Sequence, residues 1–371
     1  MVKIGILSDC HLGARQFRKS SKLMNTYCDL NNKSFEEAVD TLIENNVDYI
    51  FIAGDLFDSP NPDIYSLRFA NKVLNKLIDK NTPIYLLGGN HDYSQMNNNL
   101  SCHPFDLLEN PNIIKVYNHE SMFGFDVNDS NNLPFTLTMI PYKLMNYETF
   151  GRIYKPETCI DSNKNDKPNI LMIHGCVDLN NMANNTNNDN IMQEYYLPKT
   201  VAMNYDFIIC GHVHLPCIIN NDNCKILTPG SLMPSNMANN YTFKPSVYIA
   251  SIEDDNNITI KSIHLQTPPN VLEIVTNDIN HTLETIIDKY PYNDIVYIKY
   301  NGKIEDVDEG LYKKAFQKLL NLSLQTDISL DHLNIDNQEN LGDFWDFIKN
   351  NHNEYYDEFK DIINTIIDKN Q

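Results

Sequence analysis

Apolar and polar positions along the chain fall into short blocks. Residues 2–8, 48–53 and 83–87 are apolar runs closed by glycine or polar residues, and each reads as a buried strand. Helical patterns lie between them. Phe35, Ala38, Val39, Leu42 and Ile43 recur at helical spacing behind Ser34, the expected cap, with Glu36 and Glu37 in the first turn. Ile64, Leu67, Ala70, Leu74, Leu77 and Ile78 form a second stripe behind Asp63. The order strand–helix–strand–helix–strand predicts an α/β fold, with a parallel sheet and right-handed crossovers.

The pattern then becomes less regular. A short helix is expected at 103–108, strands at 112–117, 135–140, 169–173 and 206–210, and a loop over 118–133. Short runs near 216–220, 224–228, 246–252 and 258–265 predict a second sheet of antiparallel character, packed on the first. Residues 266–270 (Gln-Thr-Pro-Pro-Asn) read as a linker. Beyond it, strands at 271–277 and 294–300 and helices at 281–289 and 308–320 predict a small α+β module. The last stretch, 341–368, carries Phe344, Phe347, Ile348, Tyr355, Phe359, Ile362, Ile363 and Ile366 at helical spacing. Such a helix packs on the body or binds a partner. The second is favoured because no other late segment is left for it to pack on.

The length of 371 residues suggests two domains, and 42% hydrophobic content suffices for a sizeable core. No apolar run reaches a membrane span, and the N-terminal strand is too short for a signal peptide, so a cytoplasmic, non-secreted protein with no membrane partner is expected. The eight cysteines show no paired spacing and read as small core residues in a reducing compartment. Asparagine-rich stretches between 180 and 188 read as solvated loops. A formal net charge of −20 repels polyanions, so a nucleic-acid substrate would need metal ions, a basic patch or a partner. Arg15, Arg18, Lys19 and Lys22 are the densest basic cluster, and read equally as a solvated loop or as a phosphate-contacting one.

Candidate chemistry gathers at strand ends. Asp9 and His11 follow the first strand two residues apart, on one side of an extended segment. Gly54 and Asp55 follow the second, and Gly89, Asn90, His91 and Asp92 the third. His174 ends a later strand, and Gly211, His212 and His214 follow another. In parallel sheets, ligands bind at the carboxyl ends of strands, so these clusters can converge. Five of the 11 histidines fall just past expected strands, beside glycines or carboxylates. A mixed nitrogen and oxygen donor set without cysteine suits Mn²⁺, Fe²⁺ or Zn²⁺ better than Ca²⁺. There are too many donors for one ion with open positions, so two ions sharing a carboxylate is the economical arrangement.

Asp9-x-His11, Gly54-Asp55-x-x-Asp58, Gly89-Asn90-His91-Asp92, His174 and Gly211-His212-x-His214 resemble, in order and spacing, the motif set of the calcineurin-like metallophosphoesterases. The resemblance covers residue 1 to about 265 and implies a two-sheet β-sandwich flanked by helices. It implies that Asp9, His11, Asp55 and His214 hold one ion and that Asp55, Asn90, His174 and His212 hold the other. His91 would be a non-ligand catalytic histidine. Asp58 stands where many cellular members have a second histidine, and an Asp58–His91 dyad is expected from the phosphatase pattern. The DCHLG start and the GDLF segment resemble the SbcD/MRE-type DNA-repair nuclease subunits, and His103-Pro104 with Val116-Tyr117 resembles their phage recombination relatives. That likeness implies a nuclease domain (1–265), the linker (266–270), a capping and DNA-binding α+β domain (271–330) and a C-terminal helical partner-binding segment (331–371). It further implies Mn²⁺, with Mg²⁺, Fe²⁺ or Zn²⁺ as alternatives. DNA, an SbcC-type coiled-coil ATPase and a homodimer through the nuclease domain are the implied partners, and a nuclear location follows if replication in the host is nuclear.

Three activities compete on these grounds. The complete donor set, the basic loop and the cap-and-tail layout favour a metal-dependent DNA exonuclease and endonuclease subunit of repair, recombination or replication. Net acidity favours a metallophosphatase or phosphodiesterase acting on a protein or small nucleotide. A non-turning-over scaffold is disfavoured by retention of every donor and of His91.

Overall fold

The structure is a computed structural model, and it describes residues 1–15, 21–93, 103–117, 134–142, 167–177, 196–197, 202–221, 224–234, 244–291 and 294–326. The tail stripe at 341–368, the asparagine-rich stretch and the 118–133 loop lie outside these residues.

Two sheets form the body. Strands β1 (Val2–Leu7), β2 (Tyr49–Ile52), β3 (Ile84–Leu87) and β4 (Ile113–Val116) run parallel. Residues of β1, β2 and β3 are mostly aliphatic or aromatic and buried on both faces, as strands covered on each side must be, whereas the edge strand β4 fully buries only Val116. Helix α1 (Ser21–Glu44) crosses from β1 to β2, and α2 (Ile64–Leu74) from β2 to β3. Asp63 caps α2 by accepting from the Ser66 N–H at 2.8 Å. Phe35, Ala38, Val39 and Leu42 of α1 and Ala70, Val73 and Leu74 of α2 are fully buried against the first sheet.

The second sheet holds β5 (Thr136–Ile140), β6 (Asn169–His174), β9 (Phe207–Gly211), β10 (Cys217–Asn221) and β11 (Cys224–Thr228), in the order β10-β11-β9-β6-β5. The short pair β7 (Cys176–Val177) and β8 (Tyr196–Leu197) forms a separate ladder whose Val177 and Leu197 pack with residues of β6 and β9. Of the four runs expected to form a second antiparallel sheet, β10 and β11 do pair antiparallel, but they join β5, β6 and β9, which with β11 are parallel. The last two strands, β12 (Ser246–Ile252) and β13 (Ile258–His264), belong to the first sheet, whose order is β13-β12-β1-β2-β3-β4. The alternation along β13 reports an edge strand with one solvated face. Alternation records exposure, and it does not identify the pairing partner. Between the sheets, Phe51 meets Tyr85 and Phe135 edge-on at 5.3 and 5.9 Å within one continuous apolar layer.

Helix α1 is longer than its apolar stripe predicts. Ser34 sits inside it, and its hydroxyl donates back to the Leu30 carbonyl at 2.8 Å. The polar first half hides its buried contacts. Tyr27 is 3% exposed and donates to the Pro234 carbonyl at 3.0 Å, and Asn31 and Asn32 are 1% and 2% exposed.

Past residue 270, β14 (Val271–Thr276), β15 (Ile295–Tyr300) and β16 (Asn321–Thr326) form a third, all-parallel sheet in chain order. Helices α3 (Ile279–Lys289) and α4 (Glu309–Lys318) make the two crossovers. The strand at 321–326 is not expected from the sequence, since its alternation of Asn, Ser and Gln with Leu resembles a polar loop. The segment joining this module to the body is held down. The Glu37 carboxylate of α1 accepts from the Gln266 and Thr267 N–H groups at 2.7 and 2.8 Å. Ile295 and Leu320 of the module pack with Ala14, Tyr27 and Met233 of the body.

Among the described residues the cysteines are free, and no helix is long and apolar enough to cross a membrane.

Candidate metal centre

The carboxyl ends of strands from the two facing sheets converge at one end of the sandwich, and the loops after β1 and β2 are joined by their backbones. Asp9 N donates to Gly54 O at 3.1 Å, and His11 N to Asp55 O at 3.0 Å. The Ala53 carbonyl at the end of β2 accepts from Ser8 Oγ at 3.1 Å and from His174 Nδ1, at the end of β6, at 2.9 Å. Gly211, ending β9, lies so close that a Cβ there would stand 1.9 Å from Ala53 O. A Cβ on Gly89 would fall 2.2 Å from Asp55 Oδ1. These glycines serve close approach of one chain segment to another.

The backbone is strained where the polar side chains emerge. Asp9, His11, Asp55 and His212 adopt φ values of 50°, 45°, 51° and 83°. Side chains other than glycine rarely adopt this left-handed region, and when they do they cluster at functional sites.

The expected donors converge. Asp55 Oδ1 accepts the His91 N–H at 2.8 Å, which leaves Oδ2 at 3.4 Å from His174 Nε2 and 3.7 Å from His11 Nε2. His11 Nε2 and His214 Nε2 face each other at 3.0 Å, and His214 Nε2 lies 3.9 Å from Asp9 Oδ1. Asn90 Oδ1 is 2.9 Å from His174 Nε2 and 3.0 Å from His212 Nδ1. Both Asp9 oxygens sit against the His212 N–H, at 3.0 and 3.2 Å. Asp9, His11 and His214 form one group with metal-binding spacing, and Asp9, Asp55 and His174 form another.

This crowding calls for positive charge. His174 gives its Nδ1 proton to Ala53, so in the neutral ring its Nε2 lone pair faces two further acceptors. Burial lowers its pKa, yet the Asp55 carboxylate outweighs burial and raises it to about 9. Burial would raise Asp55, but His174, His11 and His91 hold it far below the carboxylate range. Burial, with His174 adding to it, drops His212 to about 4, and burial with His11 drops His214 to about 4. His212 and His214 are thereby neutral, as ligands of a divalent cation must be, while Asp55 keeps a proton on His174 that a bound cation would displace. The residues fit the group.

His91 stands beside this set. Its ring is edge-on to His11 at 4.6 Å, and its Nδ1 lies 3.0 Å from the Asp58 backbone carbonyl. The Asp58 carboxylate is 3.7 Å from that nitrogen and 3.2 Å from His11 Nδ1. The nearest partner of the Asp58 carboxylate is therefore His11, and it is the main-chain oxygen of Asp58 that orients His91.

Asp92 had no contact assignable from sequence. It is 1% exposed and ties two site loops together, accepting from Gly89 N at 2.9 Å and Phe57 N at 3.1 Å. Burial, reinforced by Asp55, raises its pKa to about 7. Tyr142, just past β5, walls the site with its ring 6.2 Å from His174 and 6.4 Å from His212. In the basic cluster, Arg15 is exposed and 3.5 Å from the Asp63 carboxylate, a weak surface pair. Arg18, Lys19 and the Lys22 side chain lie outside the described residues.

The calcineurin-like phosphoesterase family matches residues 2–216. The chain belongs to this family. As a calcineurin-like phosphoesterase it is an enzyme that hydrolyses phosphoester bonds. Methanococcus maripaludis has a relative named DNA double-strand break repair protein Mre11. It is 26% identical over 373 positions, which cover 93% of this chain and 90% of that protein. The Saccharolobus solfataricus protein of that name is 34% identical over 137 positions, covering 36% of this chain and 34% of the relative. The Arabidopsis thaliana double-strand break repair protein MRE11 is 24% identical over 379 positions, and this phosphoesterase chain matches 48% of its length.

Substituting Gly211→Ala is expected to destroy the junction, because the added methyl would also lie 2.7 Å from His174 Nδ1. Calorimetric titration with Mn²⁺ should show at least a hundredfold weaker binding. Wild-type affinity would mean that the approach of the two sheets does not shape the centre.

Proposed function

We propose that this phosphoesterase is a metal-dependent DNA nuclease subunit of double-strand break repair, recombination or replication. One observation carries the reading. A convergent donor set occurs in a chain that aligns over 93% of its length with a protein named for DNA double-strand break repair. On this reading Asp9, His11, Asp55 and His214 hold one divalent cation. Asp55, Asn90, His174 and His212 hold the other, and Asp55 is shared. The position of Asp55 Oδ2, between His11 and His174, supports the shared role. Mn²⁺ suits the mixed donors, with Mg²⁺, Fe²⁺ or Zn²⁺ as alternatives. When bound, such a pair supplies water activation and neutralises charge on the phosphodiester oxygens.

The chain's own groups do the rest. His91 gives a proton from Nε2 to the leaving oxygen, while Asp58 partners the ring at Nδ1 through its carbonyl and, at longer range, its carboxylate. Asp55 holds the His91 backbone, so the acid and the donor set move as one unit. Asp92 fixes the loops of Asn90 and Phe57 against each other. Arg15, Arg18, Lys19 and Lys22 receive the phosphate backbone and locally offset the chain's charge of −20. The module at 271–330 caps the substrate, and 331–371 binds an SbcC-type coiled-coil ATPase.

A second reading, a phosphatase or phosphodiesterase on a protein or small nucleotide, is favoured by that same net charge. Assay with Mn²⁺ on linear duplex DNA, single strands and bis-p-nitrophenyl phosphate separates the two. DNA degradation is expected. Cleavage of the small diester alone, even with the ATPase present, contradicts the nuclease reading.

His91→Ala should lower turnover roughly 10²–10⁴-fold and leave Mn²⁺ binding intact. Loss of metal together with activity would make His91 a ligand. Deleting residues 335–371 should abolish capture of an SbcC-type ATPase, and undiminished capture would refute the partner assignment.

A further inference from the structure

His11 is the most heavily constrained of the donors, and one of its constraints comes from outside the site. Its φ is 45°, and both of its peptide groups are pinned. Its N–H donates to Asp55 O at 3.0 Å, and its carbonyl accepts from Ala14 N at 2.9 Å. A second donor reaches the same carbonyl. Asn31 Nδ2, from the middle of α1, lies 2.7 Å away in a buried setting. The carbonyl needs a donor, which sets the amide's orientation.

The geometry has a cost that folding alone does not explain. Asn31 is 1% exposed, and its Oδ1 has no hydrogen-bond partner among the described residues. A buried amide oxygen left unpaired is destabilising, and an apolar side chain on this face of α1 would avoid it. The His11 carbonyl would still be satisfied by Ala14. What Asn31 adds is a grip on a left-handed residue from a rigid helix. That grip sets the direction in which the His11 ring leaves the chain, with Nε2 toward His214 and Asp55 and Nδ1 at 3.2 Å from Asp58.

We infer that Asn31 is a positioning residue for the metal centre. Its side-chain amide clamps the His11 carbonyl, holds the strained backbone of that residue and so preorganises the His11 imidazole for a cation. The inference rests on the reading of His11 as a ligand. Asn31 touches neither the cation nor the substrate and acts wholly through His11.

The test uses full-length Asn31→Leu, which removes the donor and the unpaired oxygen together, and Asn31→Ala, which removes the donor without added bulk. Mn²⁺ affinity is read by calorimetry and the melting temperature is read on metal-free protein, with His11→Ala as reference. Partners of ligands typically contribute 10–100-fold to metal affinity. The expected result is Mn²⁺ binding weakened by about that factor in one of two resolved steps, in both Asn31 variants. The melting temperature of metal-free Asn31→Leu should equal or exceed that of the wild type, which a merely structural asparagine would not allow. Unchanged affinity in both variants, or a fall in affinity only in step with a lower melting temperature, overturns the inference. If His11→Ala itself leaves Mn²⁺ binding intact, the failure belongs to the ligand assignment instead.

Discussion

The carbonyl of Ala53 is where the two sheets are fastened, and the centre depends on that fastening. It accepts Ser8 from one strand end and His174 from the other sheet, and Gly211 leaves room for the contact. With the strand ends of the two sheets this close, donors from five of them enter one small volume. The buried carboxylates of Asp9 and Asp55 then face imidazole nitrogens that crowd one another and the carboxylate oxygens. Removing such charges from water is expensive, and mutual pairing alone repays it poorly. A divalent cation turns the same arrangement into a favourable one, and metal binding should therefore stabilise the fold.

Strain and charge are coupled here. Asp9, His11, Asp55 and His212 hold left-handed backbone, each at roughly 1–3 kcal/mol. The hydrophobic layers around Phe35, Phe51, Phe57 and Phe135 make that tolerable, since all four rings are fully buried. The loops are rigid because their backbones bond one another and because Asp92 bridges two of them.

Much of this was legible in the sequence. The parallel strands could be read because they are apolar on both faces, and the donors because imidazoles and carboxylates directly after such strands are poor core material. Other features left no such trace. The first half of α1 is polar, yet it is helical because Tyr27 and Asn31 make tertiary contacts. The assignment of β12 and β13 to the first sheet is a matter of pairing, which alternation does not encode. The strand at 321–326 was hidden by its polar face. Asp92 and Asn31 act on backbone groups distant in sequence, and no local pattern announces such bonds. The Asp58 carbonyl as the partner of His91 was invisible for the same reason, because every residue has a carbonyl.

On the proposed reading one carboxylate, Asp55, serves two cations at once. Titration of wild type and Asp55→Asn with Mn²⁺, following the number of ions bound per chain, tests it most directly. Two ions are expected for the wild type, with both binding steps weakened in the variant. Retention of one full-strength site in Asp55→Asn, or a single ion in the wild type, would contradict it.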